Sequence, residues 1–263
     1  MAIMQVNFYA KTLKQATTFI AIIPGDGPEE IAKDIPDAGL KSLYLLHGYT
    51  GNYSDWLWGS RIVELAYKNN IAVFLPSGHN SFYLDDIEKS EYYGEFIGSE
   101  LVEYTRRIFP LSKNRDDTFI GGLSMGGYGA LRNGLKYHNN FGKIIALSSA
   151  IIIKKIAGIK QDYKDLIADY YYYRRVFGDL DKLIGSDKDI EALAKDLVKK
   201  GEFIPEIYMA CGTEDFLIEE NRECYNHLKE IGINVTYIEE PGAHDWDFWN
   251  RHIQKAMEWL LKS

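Results

Sequence analysis

The stretch Thr118 to Gly129, TFIGGLSMGGYG, constrains this chain more than any other. An apolar run, Thr118-Phe119-Ile120-Gly121, leads into Gly122-Leu123-Ser124-Met125-Gly126-Gly127 and then into a helical pattern, so a G-x-S-x-G spacing falls at a strand-to-helix turn. A chain that turns so sharply holds its serine in a strained backbone conformation, and only small neighbours let the two chain directions pass close by. Ser124 is then presented above a sheet at a helix N-terminus, as a candidate nucleophile.

The surrounding pattern supplies that sheet. Short apolar runs at 42–46, 72–75, 118–121, 143–148, 207–210 and 234–238 alternate with helical patterns at 60–69, 92–109, 125–137, 218–231 and 245–261. Strands so spaced predict parallel crossovers and one mostly parallel, twisted sheet of an α/β fold. Residues 2–9 and 15–23, rich in β-branched and aromatic side chains around Lys11 to Lys14, predict an antiparallel hairpin ahead of it, with a Pro-Gly-Asp-Gly-Pro turn at 24–28. About sixty residues separate the sixth strand from the seventh, too many for a plain crossover. That stretch holds Ile151 to Ile153, a tyrosine tract at 170–173, a turn at 177–179 and a helical segment at 187–200, which predicts a helical insertion, or cap, over roughly 150–205. At 263 residues the chain is near the upper size of one domain, and 1–263 is read as a single domain.

A serine hydroxyl is a weak nucleophile at neutral pH and needs an imidazole in reach and a carboxylate to hold the imidazole's tautomer. In this arrangement the partners follow in chain order, acid then histidine. Four histidines follow Ser124: His138, His227, His244 and His252. His138 sits at a polar helix end, and His227 and His252 lie inside amphipathic patterns. His244, in Glu240-Pro241-Gly242-Ala243-His244-Asp245, falls on the loop between the final strand and the last helix and is the expected general base. The acid is expected where the preceding strand ends, in Cys211-Gly212-Thr213-Glu214-Asp215, with Asp215 chosen and Glu214 its competitor, read otherwise as capping or solvating the next helix.

Acyl transfer also needs donors aimed at the developing oxyanion. The Met125 N–H is one; the loop Leu46-His47-Gly48-Tyr49-Thr50 offers the other at Tyr49, with His47 fastening the loop by hydrogen bonds. Aromatic residues make up 14% of the chain, and Trp56, Trp58 and Tyr83, close to these motifs, are expected to stack against substrate.

Taken together, Leu46-His47-Gly48-Tyr49 with Trp56, Phe74-Leu75-Pro76-Ser77-Gly78 with Ser81-Phe82-Tyr83, Gly122 to Gly127, and Cys211 to Asp215 with Gly242-Ala243-His244 resemble the esterase D family of α/β-hydrolases, over residues 40 to 260. That family includes S-formylglutathione hydrolases, feruloyl and acetyl esterases and mycolyltransferases, and the chain looks most like its bacterial short-chain acyl esterases. The resemblance implies an α/β-hydrolase fold, a triad of Ser124, Asp215 and His244, and an oxyanion hole at Tyr49 and Met125. Two departures bear on substrate: Ser77 stands where many members carry an acid, and 154–203 matches no family motif.

The expected activity is therefore hydrolysis of short-chain acyl esters through an acyl-serine, with feruloyl or acetyl-xylan esters and then S-formylglutathione as the alternatives. A catalytically dead binding protein is the alternative from another class, disfavoured because all three side chains are present in order. No cofactor or metal is implied; the partner is a small-molecule ester. Thirty Lys and Arg against thirty-eight Asp and Glu leave a net charge of −8, which argues against nucleic-acid and anionic-membrane surfaces. Two cysteines, no signal-like N-terminus and no long apolar run make reduced thiols and a cytoplasmic location the expectation, and an aromatic cap offers a surface for homo-oligomers.

Overall fold

The computed structural model describes residues 1–26 and 34–262. An eight-stranded sheet is built from β1 (Ala2–Ala10), β2 (Gln15–Ile23), β3 (Lys41–Leu46), β4 (Ile71–Pro76), β7 (Thr118–Leu123), β8 (Lys143–Leu147), β9 (Glu206–Gly212) and β10 (Val235–Glu240), in the order β1-β2-β4-β3-β7-β8-β9-β10. β5 (Asp85–Asp86) and β6 (Glu91–Tyr92) form a separate two-stranded ribbon. Within the eight-stranded sheet β1 and β2 pair antiparallel and β2 runs antiparallel to β4, and the other pairs are parallel; the β5–β6 ribbon is antiparallel. The expected turn at 24–28 lies partly outside the described residues.

Helices cover both faces, which is why the central strands are buried from end to end and read as unbroken apolar runs. Along β3 the side chains alternate: Leu43 and Leu45 pack with Ile62, Leu65, Phe248 and Met257 on one face, while Tyr44 and Leu46 pack with Leu101, Leu131 and Leu135 on the other. The helical stretch expected at 92–109 is broken into Tyr93–Glu95, a wider π-type turn at Phe96–Glu100, and Leu101–Ile108. At its centre the Glu100 carboxylate accepts the Lys11 and Thr12 N–H groups, tying this helix to the β1–β2 turn. No helix among the described residues is long and apolar enough to cross a membrane.

Two topological facts place the site. From β3 the chain moves outward to β4, then returns past β3 to β7 and continues the other way. The loops leaving the C-terminal ends of β3 and β7 therefore diverge around a crevice, the place where open α/β sheets bind ligands. The segment between β8 and β9, the sixth and seventh strands of the main sheet, folds into helices Ile153–Ile156, Tyr170–Phe177 and Ile190–Lys200, and contributes walls to that crevice. It is pinned to the helix after β7: Tyr128 O–H donates to Lys188 O (2.8 Å), and buried Arg132 donates to Asp187 O (3.0 Å) and Asp187 Oδ2 (2.6 Å). A guanidinium this deeply buried persists only with such partners.

His252, buried on the last helix, Trp246–Leu260, stacks on Phe248. Burial, joined by Lys255 and opposed by Glu240, pushes its pKa down to about 4. The unfolded chain takes that proton at about pH 6.5, so the site's stability is complete above that pH and is lost as pH falls toward the folded value. Thermal melts are expected to drop across this window, and to drop less in His252→Asn; an equal drop in the variant would assign the acid sensitivity elsewhere.

Candidate active site

Ser124 follows directly on β7 with φ 54° and ψ −118°, a strained conformation for a non-glycine residue. Its backbone is over-determined: Ser124 N–H donates to Leu147 O (2.9 Å), and Ser124 O accepts the N–H groups of Ala150 (2.9 Å) and Tyr128 (3.1 Å). The flanking glycines are sterically required. A Cβ on Gly122 would lie 2.3 Å from the Gly126 carbonyl oxygen, and one on Gly126 would lie 2.4 Å from Leu46 O. The second close approach also brings the end of β3 against the first turn of the helix Met125–Lys136.

His244 Nε2 lies 3.0 Å from Ser124 Oγ, and His244 Nδ1 lies 2.9 and 3.1 Å from the two Asp215 oxygens. With Nδ1 donating to the carboxylate, Nε2 is left as an acceptor facing the serine hydroxyl. The imidazole is held between Phe216, 4.6 Å between ring centres, and Trp249, edge-on at 5.0 Å. Asp215 is 2% exposed and its Oδ1 also accepts the Leu217 N–H (2.9 Å). Burial is the largest single influence on this carboxyl and works against its charge, but His244, Leu217 N–H and Ser148 together outweigh it and hold the pKa below the usual range. Asp215 is therefore ionised wherever His244 can act as a base.

Glu214, the competing acid, turns away. Its Oε2 accepts the Gly242 N–H at 2.6 Å, so it fastens the end of β9 to the loop that carries His244 rather than capping the next helix. Beneath the site, Trp249 Nε1–H donates to Ser148 Oγ (3.1 Å) at the end of β8.

The β3 loop places Tyr49 beside Ser124 and Met125, the three together lining one wall of a cavity. Met125 N–H stands in the first turn of its helix, where no intrahelical acceptor exists and the helix dipole is positive. Among the described residues no protein acceptor takes the Tyr49 or Met125 N–H. His47 is buried, its Nδ1–H donating to Gly48 O (2.7 Å) and its Nε2 accepting the Gly78 N–H (2.8 Å). Burial pushes its pKa down, in keeping with a neutral ring that ties the loop.

The cavity holds about 380 Å³ and is mostly apolar: Phe82, Ala150, Ile152, Ile156, Tyr173 and Leu217 line it together with two charged residues, Lys155 and Asp165, and Leu166, Ile167 and Phe216 are its exposed apolar members. The loop carrying Leu166 and Ile167 is shaped by Asp165, which accepts the N–H groups of Ile167 and Ala168 and the hydroxyls of Tyr163 and Tyr173.

The three expected substrate-stacking aromatics do not line this cavity. Trp56 is 1% exposed, donates Nε1–H to Leu46 O (2.9 Å) and packs against Trp246; Tyr83 is fully buried and donates its O–H to His47 O (3.0 Å). Both are framework for the β3 loop, because a ring with one polar atom fits a core that offers a backbone carbonyl. Trp58 is 82% exposed and is not among the residues lining the cavity. Phe82, beside Tyr83 in sequence, and Tyr49 are aromatic residues that do line the cavity.

Comparison with known proteins finds esterases and serine hydrolases. The family model described as "Putative esterase" matches residues 33–260. An acetyl esterase of Caldicellulosiruptor saccharolyticus is 63% identical over 263 residues, covering 100% of this chain and 99% of its own. Among solved structures, the substrate-bound fluorophosphonate-binding serine hydrolase F of Staphylococcus aureus superposes with a TM-score of 0.86 at 27% identity, over 100% of this chain and 99% of that one. The S-formylglutathione hydrolase FrmB of the same organism gives 0.84 at 27% identity, over 99% of each chain.

Proposed function

The chain belongs to the esterase family of carboxylic-ester hydrolases, and from that premise we propose that it cleaves short-chain acyl esters, acetyl esters foremost, through an acyl-enzyme on Ser124. The observation that carries this is the hydrogen-bonded chain Asp215–His244–Ser124 opening onto a small, mostly apolar cavity. His244 Nε2 takes the Ser124 proton as Oγ attacks the ester carbonyl, and the Tyr49 and Met125 N–H groups receive the oxyanion. The imidazolium returns the proton to the leaving alkoxide, and the alcohol departs. Water, deprotonated by the same nitrogen, then attacks the acyl carbonyl and restores Ser124. Asp215 orients the ring and stabilises its charge. Residues 1–263 act as one domain, with roughly 150–205 as a cap whose side chains shape the acyl site.

Substrate size follows from volume. About 380 Å³ is at the small end of ligand pockets, and its lining is mostly apolar, with Lys155 and Asp165 its two charged residues. The acetyl esterase relative, similar over its whole length, supports the same choice. Steady-state kcat/KM for p-nitrophenyl acetate and butyrate is expected to exceed that for the octanoate by about 10-fold or more. Octanoate or methyl ferulate ranking first would contradict the short-chain assignment, and S-formylglutathione ranking above all of them would replace it with a thioesterase.

A further inference from the structure

We infer that Asn80 is a positioning residue for the oxyanion donor, and that it ties that donor to the insertion helix Tyr170–Phe177, an inference that rests on the proposed role of the Tyr49 N–H. Asn80 belongs to the loop after β4 and is not among the residues lining the cavity. Its side-chain Oδ1 accepts the Thr50 N–H at 2.8 Å, and its backbone carbonyl accepts the Tyr172 O–H at 2.8 Å.

The β3 loop needs such an anchor. Gly51 N–H donates to Gly48 O, closing a turn with Tyr49 and Thr50 at its centre, and Thr50 sits at φ 67°. A β-branched residue keeps that conformation only where its surroundings impose it. On the N-terminal side, the same 78–83 segment fixes His47 twice: Gly78 N–H donates to the ring and Tyr83 O–H donates to the carbonyl. On the C-terminal side, Asn80 Oδ1 is the acceptor that holds Thr50. The Tyr49 N–H therefore lies between two fixed points supplied by one neighbouring loop. Without the Asn80 acceptor, the Thr50 peptide is free to relax from its strained angle, and the Tyr49 donor moves with it.

The second bond of Asn80 extends the constraint to the insertion. Tyr172 holds the Asn80 carbonyl, and its ring lies edge-on to the Tyr49 ring, 5.6 Å between centres at 79°. The insertion helix thus touches both the anchor and the anchored residue. A donor that must meet the oxyanion within a few tenths of an ångström gains its effect from such preorganisation.

The test is kcat and KM measured separately on p-nitrophenyl acetate, with thermal melts, for Asn80→Ala and Asn80→Asp beside Ser124→Ala. Asn80→Ala is expected to lower kcat about 10- to 100-fold with KM within about twofold, as for an interaction made in the transition state. Asn80→Asp keeps an oxygen acceptor for Thr50 N–H and is expected to recover most of the loss. Tyr172→Phe is expected to lower kcat about threefold alone and to add nothing on top of Asn80→Ala. Should Asn80→Ala not fold, Asn80→Ser, too short to reach Thr50, takes its place. The inference is overturned by an alanine or serine variant with wild-type kcat, by equal losses in the alanine and aspartate variants, or by a Tyr172→Phe loss that adds in full. A Ser124→Ala enzyme that remains active would instead remove the reading on which the inference rests, whatever Asn80 does.

Discussion

Replacing Ser124 by alanine is expected to lower kcat/KM for p-nitrophenyl acetate by about 10⁵- to 10⁶-fold, the scale seen when the nucleophile of such a unit is removed. Little of that loss will come from unfolding. The strain at φ 54° is carried by the backbone bonds from Ser124 to Leu147, Ala150 and Tyr128, all of which alanine retains. The melting temperature of the variant should therefore stay close to that of the parent, and a circular-dichroism melt run beside the kinetics separates a chemical loss from a structural one. What remains will come from binding and the oxyanion donors, which alanine leaves in place.

Asp215→Asn is the second large effect, expected to lower kcat by about 10⁴-fold with little change in the binding of substrate. The buried carboxylate takes Leu217 N–H on Oδ1 and His244 Nδ1–H most closely on Oδ2, with Ser148 as a further partner. A carboxamide has one acceptor oxygen. Leu217 N–H, fixed in the backbone, keeps that oxygen, so the NH₂ faces His244 and turns the ring to the tautomer whose Nε2 carries the proton. That nitrogen no longer accepts from Ser124. The depressed pKa of Asp215 has a matching consequence: the charge it supplies is present above the ordinary carboxylate range and is lost only as pH falls through the lowered folded value. The variant's deficit should therefore be constant across neutral pH, and a kcat that recovered at high pH would show that His244 is oriented by some other group.

Much of this arrangement was legible before any coordinates. Ser124 stands out because an elbow of this tightness needs glycine on both sides, a steric demand written directly into residues 122–127. His244 stands out because it alone among the later histidines lies on a loop after a strand. The choice between Asp215 and Glu214 was harder, since adjacent carboxylates differ by which way a turn points them. Their separation depends on the ends of β9 and β10 coming together, where Gly242 N–H captures Glu214. Trp56 and Tyr83 misled for a physical reason: a large ring near a motif packs behind it as readily as in front, and both found backbone carbonyls within the core. The exposed cavity residues Leu166 and Ile167 left no periodic trace, because four hydrogen bonds to one carboxylate, Asp165, set the shape of their loop. Asn80 was invisible for the same reason, its two bonds reaching residues 30 and 92 positions away.

The central claim is that the acyl group is carried by Ser124, and the most direct measurement is to trap it. The protein is treated with a p-nitrophenyl phosphonate, the released nitrophenol is counted against protein, and the adduct is located by peptide mass mapping. One nitrophenol per chain, complete loss of ester hydrolysis and a phosphonyl group on Ser124 are expected, with no labelling of Ser124→Ala. An adduct on another residue that tracks the loss of activity, or full activity with Ser124 modified, would contradict the account.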